Sequence, residues 1–158
     1  MSFSVPAEKI KHFDLSTKTK RIATHCVDPE VARECRLPTS YAFASEEEYY
    51  YDLASSRYAV TTKRGGWDCL RHYEIAAAGC LPCFRNLDDK PATCAPHELL
   101  PGLNCIGYRD WPDLRRQLDQ LDLNPKRYRS MLMASGNWIR QFTTISAAQR
   151  LIDLVVHS

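Results

Sequence analysis

The sequence predicts one α/β domain built on a mainly parallel sheet. Three observations carry this expectation. Short apolar runs rich in β-formers alternate with helical segments along most of the chain. Several helical segments open on recognisable caps: Asp28-Pro29, Ser45-x-x-Glu48 and Asn124-Pro125. Residues 57–84 read as strand, glycine loop, helix and strand, which is a βαβ unit. The chain has 158 residues, 44% hydrophobic and 25% charged, which suffices for one core. A single Rossmann-like domain spanning 1–158 is expected, with C-terminal helices from about residue 125.

The elements follow in order. Residues 1–18 are polar and mixed, and predict irregular structure or a short helix around Pro6–His12. Arg21–Val27 reads as the first strand. Asp28 is placed to cap a helix whose first position is Pro29, and Leu37–Ser40 is a loop. Ser45 and Glu48 form a capping-box pattern at the head of a helix Glu46–Ser55, whose acids suit the positive end of the dipole. Tyr49, Tyr50 and Leu53 fall on one side of it, and aromatic core contacts explain them without a stacking role. Arg57–Thr62 is nearly uncharged after its first residue, as a buried parallel strand is.

The loop Lys63–Trp67 comes next, then a helix from near Asp68. At about 100° per residue, Leu70, Tyr73 and Ala77 share an apolar face. Asp68, Arg71 and His72 fall opposite, with Glu74 at the edge. Gly79 ends this helix, and Ala76–Ala78 let it lie close to the sheet. Leu81–Phe84 is a strand, Asp88–Pro91 a turn and Asn104–Tyr108 a further strand. Helices are expected over Asp113–Leu121, Lys126–Phe142 and Thr144 to about Val156. An exposed apolar surface on the last of these, at Leu151, Leu154 and Val155, would indicate a partner.

Composition excludes several classes. The 21 Lys and Arg stand against 19 Asp and Glu, a net charge of +2, which makes no case for nucleic acid or a membrane surface. No run approaches the roughly 18 apolar residues of a membrane span. The N-terminus lacks the apolar core of a signal peptide, so a cytoplasmic location is expected. Seven cysteines, an odd count, then read as buried thiols rather than a disulfide framework.

The chemistry concentrates in Lys63–Phe84. Gly65 and Gly66 let backbone N–H groups approach an anion, and the helix start adds a partial positive charge. Lys63 and Arg64 add full charges, and together these suit a diphosphate. A tight β–α turn flanked by solvated cations accounts for the same residues. Arg71 and Glu74, three apart, also fit a plain helical ion pair.

Arg71-x-x-Glu74 followed by Gly79-Cys80-x-Pro82 resembles the donor-site signature of exostosin-type glycosyltransferases. It is similar to the Glu-Ala-x-x-x-Gly-x-Pro segment in the C-terminal half of GT-B glycosyltransferases. The longer string from Lys63 to Glu74, with Gly79–Pro82, also resembles a group of bacterial and viral proteins identified as glycosyltransferases. The resemblance implies half of a GT-B fold that binds a nucleotide-diphosphate sugar and transfers the glycosyl group. It implies Glu74 on the ribose, and Lys63, Arg64 and Arg71 on the diphosphate. Gly65 and Gly66 would give backbone access, and Asp68 would cap the helix or contact the sugar. No metal or other cofactor is implied; the nucleotide sugar is itself the donor substrate. Where the family places the first acid of a Glu-x7-Glu pattern, this chain has Gly66. One Rossmann-like domain uses most of the chain. The implied partners are therefore an acceptor-binding domain or chain, or further copies in a homo-oligomer. The alternative is a non-catalytic module that binds nucleotide or protein.

Other sites are weaker. Cys80-x-x-Cys83 has redox spacing, but a redox thiolate belongs at a helix N-terminus, and Cys80 follows a helix. Zinc would need Cys94, His97 and Cys105 as further ligands, without a second C-x-x-C. His25 and His72 lack an evident nucleophile partner. Trp67 suits a base-stacking role or, more simply, an anchor for the helix start. Trp111 and Trp138 suit the core.

Overall fold

The computed structural model describes residues 3–12, 14–41 and 43–156; the Leu154 side chain lies outside the described set. Four strands form one parallel sheet in sequence order: Lys20–Ile22 (β1), Ser56–Thr61 (β2), Leu81–Arg85 (β3) and Ile106–Tyr108 (β4). The helices are Pro29–Cys35 (α1), Glu46–Ala54 (α2), Leu70–Ala77 (α3), Trp111–Asp122 (α4), Pro125–Arg140 (α5) and Thr144–Val156 (α6). This is the expected Rossmann-like α/β domain, a parallel sheet flanked by helices. Short 3-10 turns at Ala7–Lys9, Leu15–Thr17 and Leu87–Asp89 complete it.

Side-chain alternation along the strands divides the core. Tyr58, Val60, Leu81, Cys83, Ile106 and Tyr108 point to one face, where α1, α4 and the first half of α5 cover them. Ala59 and Phe84 point to the other, beneath α2, α3 and the second half of α5. Tyr73, Trp138 and Phe142 pack ring against ring there, with Tyr73 and Trp138 stacked at 5.2 Å.

The caps form as the sequence predicts. Asp28 accepts from the Glu30 and Val31 amides, and Ser45 from the Glu48 amide. The capping box closes one residue early, since the Glu48 carboxylate reaches the Ala44 amide at 2.8 Å. Gly79, at φ 69°, ends α3 in a Schellman turn: its N–H bonds the Ala76 carbonyl, and Cys80 N–H bonds that of Ile75.

Most boundaries shift by one or two residues, and three of them and one face differ in an instructive way. The first strand stops at Ile22: Ala23 N–H still bonds the Tyr58 carbonyl, but beyond it Thr24 N–H goes to Asp52 and Cys26 N–H to the Pro38 carbonyl. β4 starts at Ile106 because the preceding backbone bonds within its own loop: Asn104 N–H to the Leu100 carbonyl, and Gly102 N–H to the Cys105 carbonyl. α3 starts at Leu70, with Cys69 as its cap residue and no side-chain cap bond. Asp68 is not the cap. His72, expected on the polar side, is fully buried, and Leu70, expected in the core, is 40% exposed. The sheet side of α3 takes His72, which stacks on Phe84 at 4.5 Å.

The chain leaves β1 toward α1 on one face and leaves β2 toward α3 on the other. Such divergence opens a crevice at the carboxyl ends of parallel strands.

Candidate functional site

Arg71 fills that crevice. Its Nε donates to the Val60 carbonyl at 3.0 Å, its Nη2 to the His25 carbonyl at 2.8 Å and its Nη1 to the Tyr49 hydroxyl at 3.0 Å. One guanidinium thus joins the exit of β1, strand β2 and helix α2. The Tyr49 hydroxyl donates in turn to Glu74 at 3.0 Å, and Tyr50 donates to the other Glu74 oxygen at 3.4 Å. Arg71 and Glu74 therefore meet through Tyr49. Burial, next to the Glu74 carboxylate, pushes both phenols well above their ordinary range. His25 lies beside this group, its pKa lowered by burial and then by the Arg71 charge. Its Nδ1 is buried without a partner among the described residues.

Asp68 faces a third direction. Its carboxylate accepts from the Tyr73 hydroxyl at 2.7 Å and from the Phe3 amide at 3.2 Å, holding the N-terminal segment against α3. His72 Nε2 donates to the Trp67 carbonyl at 3.0 Å, so Nδ1, 2.8 Å from Thr61 Oγ1, accepts from that hydroxyl. Burial holds the imidazole down at about 4, hence neutral. Cys69 Sγ is 3.3 Å from Nε2, but burial raises the thiol, so the pair is not a thiolate–imidazolium couple.

The loop itself is open. Arg64 N–H donates to the Gly66 carbonyl at 3.1 Å. A Cβ on Gly65 or Gly66 would meet nothing within 4 Å, and neither glycine has a positive φ. Their value is therefore accessible backbone rather than a required turn conformation. The Lys63 ammonium sits 4.9 Å from the Trp67 ring centre.

Lys63 and Trp67 line a cavity of about 590 Å³ at the carboxyl ends of β2 and β3. Its other described walls are Thr62, Arg85, Asn86, Asp89 and Pro91. Arg85 is anchored from behind. Its Nη1 donates to both Asp28 oxygens, at 2.8 and 2.9 Å, and its Nη2 pairs with Glu30 at 2.8 Å. The expected residues thus fall into four groups: Lys63 at the cavity, Arg64, Gly65 and Gly66 exposed on the loop outside its described lining, Arg71 with Glu74 around Tyr49, and Asp68 at the N-terminal strap. The sequence reading did not single out Arg85, Asn86, Asp89 or the Tyr49 hub. The rule that ligands bind beyond strand carboxyl ends points to Arg85-Asn86 as directly as to Lys63, once applied to β3.

Fold and cavity define a Rossmann-like α/β domain with an open carboxyl-end site. Compared with protein-family models and with curated proteins, the chain matches none. Among the described residues no helix is long and apolar enough to cross a membrane. Nor does any group of three or more His, Cys, Asp or Glu among them stand ready to hold a metal ion.

Proposed function

We propose that the domain binds a nucleotide-diphosphate sugar at the carboxyl ends of β2 and β3. The glycosyl group would pass to an acceptor held by another domain or chain. The observation that carries this reading is the cavity around Lys63. It combines an exposed cation and an aromatic wall just beyond parallel strands, and the loop between Lys63 and Trp67 carries the exposed Gly65 and Gly66. A leaving diphosphate is stabilised by such fixed positive groups. The resemblance of the Lys63–Pro82 segment to GT-B donor sites supports the same choice. Arg71 and Glu74 lie around Tyr49, outside the cavity's described lining, so their proposed contacts with the diphosphate and ribose rest on the resemblance.

A second reading is a module that binds nucleotide or protein without catalysis. Two observations favour it. Asp68, Arg71 and Glu74 all have protein partners. Helix α6 exposes Ile145, Leu151, Ile152 and Val155.

Calorimetric titration with UDP, GDP, ADP and CMP tests the first reading, repeated with Lys63→Ala. Saturable binding of a diphosphate, weakened by the substitution, supports the donor site. Donor hydrolysis by the isolated chain then separates an enzyme from a module. Absence of binding to every nucleotide removes the donor-site reading.

A further inference from the structure

The cavity beyond β2 and β3 has a mixed lining, and its composition specifies more than a diphosphate. Trp67 and Pro91 contribute apolar surface to its lining. Lys63 lies over the Trp67 indole without a carboxylate partner among the described residues. The second cation, Arg85, is committed to Asp28 and Glu30. Lys63 is thus the charge free to move to an incoming phosphate, and its departure uncovers the ring.

The lining also holds one acid. Asp89 lines the cavity from the 3-10 turn after β3, next to Asp88. Its nearest cation is Arg109, at 4.0 Å, with both side chains more than half exposed. A pair so long and so exposed holds the carboxylate weakly. Two neighbouring acids repel a phosphate, so the phosphates belong with the Lys63 ammonium rather than with Asp89. What Asp89 accepts is hydrogen-bond donors, since an ionised carboxylate offers only acceptor oxygens. Among the common nucleobases, guanine is the one whose pairing edge carries two adjacent donors, N1–H and the N2 amine. Adenine, cytosine and uracil each break that pair with an acceptor.

We propose that this cavity selects a guanine nucleotide. The base stacks on Trp67, Asp89 takes the N1–H and N2–H donors, and Lys63 swings from the indole to the phosphates. The proposal rests on the nucleotide reading above and adds the identity of the base. A volume of about 590 Å³ lies within the range of small-molecule sites.

The test compares GDP, IDP, UDP and ADP by calorimetry on the full chain and on Asp89→Asn. IDP is GDP without the N2 amine, so it removes one of the two donors and nothing else. Asp89 is exposed on a surface turn, so the substitution leaves the fold intact, which circular dichroism checks. GDP is expected to bind about tenfold tighter than IDP, the size of one charge-assisted hydrogen bond. UDP and ADP should be weaker still. Asp89→Asn should cancel the preference of GDP over IDP. Trp67→Ala should weaken every nucleotide together, about tenfold or more, because stacking ignores base identity. If GDP and IDP bind alike, or if Asp89→Asn keeps the preference, the guanine assignment is overturned while the nucleotide reading stands. If no nucleotide binds, both are overturned.

Discussion

The Tyr49 hydroxyl donates to Glu74 at 3.0 Å while accepting from Arg71 at 3.0 Å. A sequence separation of 25 residues is closed by one phenol. The consequence is a test of what Arg71 and Glu74 are for. Arg71→Met leaves the His25 and Val60 carbonyls without their donor at the exit of β1 and β2. A loss of about 3 kcal/mol in urea unfolding is expected. Glu74→Gln keeps an acceptor for the tyrosines and should cost about 1 kcal/mol or less. A larger drop in nucleotide affinity than in stability for Glu74→Gln would place ligand on that carboxylate.

His72 gives the fold a pH dependence. Burial holds its folded pKa at about 4, below the ordinary 6.5. Between these values the unfolded chain takes up a proton that the folded chain refuses. Stability is therefore fully present above pH 6.5 and falls as pH drops toward 4, by about 3 kcal/mol for this group. Urea unfolding at pH 7, 6, 5 and 4 measures the slope. His72→Gln should flatten it across this window; an unchanged slope would mean that other groups carry it.

Asp28 anchors the carboxyl side of the sheet. It is fully buried, caps α1, accepts two bonds from Arg85 and takes the Tyr108 hydroxyl at 2.7 Å. Asp28→Asn removes the counter-charge and turns an acceptor into a donor facing a guanidinium. Breaking one partner of a buried pair costs about 3–5 kcal/mol. Thermal unfolding should show a large loss, and the proposed nucleotide binding should weaken with it, because Arg85 loses its anchor beside the cavity.

What the sequence makes legible follows from how local each signal is. The caps at Asp28, Ser45 and Asn124 are read within three residues, and all three form. Gly79 is read from its place after a helix, and its positive φ follows. The parallel sheet follows from the alternation of strands and helices. His72 is another matter. Helical periodicity sorts residues into faces but does not say which face meets the sheet. Arg85 is silent because its partners Asp28 and Glu30 lie far away in sequence. The Tyr49 hub was silent because a Tyr on an amphipathic helix looks the same with or without a buried acid opposite. Lys63 was legible as a cation beside glycines, but its place over Trp67 depends on the closure of the loop.

The cysteines offer a last prediction, which separates packing from redox chemistry. Cys26, Cys80, Cys83 and Cys105 are fully buried, while Cys35, Cys69 and Cys94 are partly exposed. Burial pushes the Cys80 thiol up to about 12 and that of Cys26 to about 11. A thiol so raised is almost wholly protonated at neutral pH, and the thiolate is the reacting form. Cys80 and Cys83 lie at and within the start of β3, where neither meets a helix N-terminus that would stabilise a thiolate. Thiol labelling of the native chain should therefore modify Cys35, Cys69 and Cys94 and spare the other four. In denaturant all seven should react. Mass spectrometry of the labelled peptides gives the assignment directly. Rapid native labelling of Cys80 or Cys83, or a reversible bond between them, would instead show that β3 opens to solvent and that its C-x-x-C is chemically active.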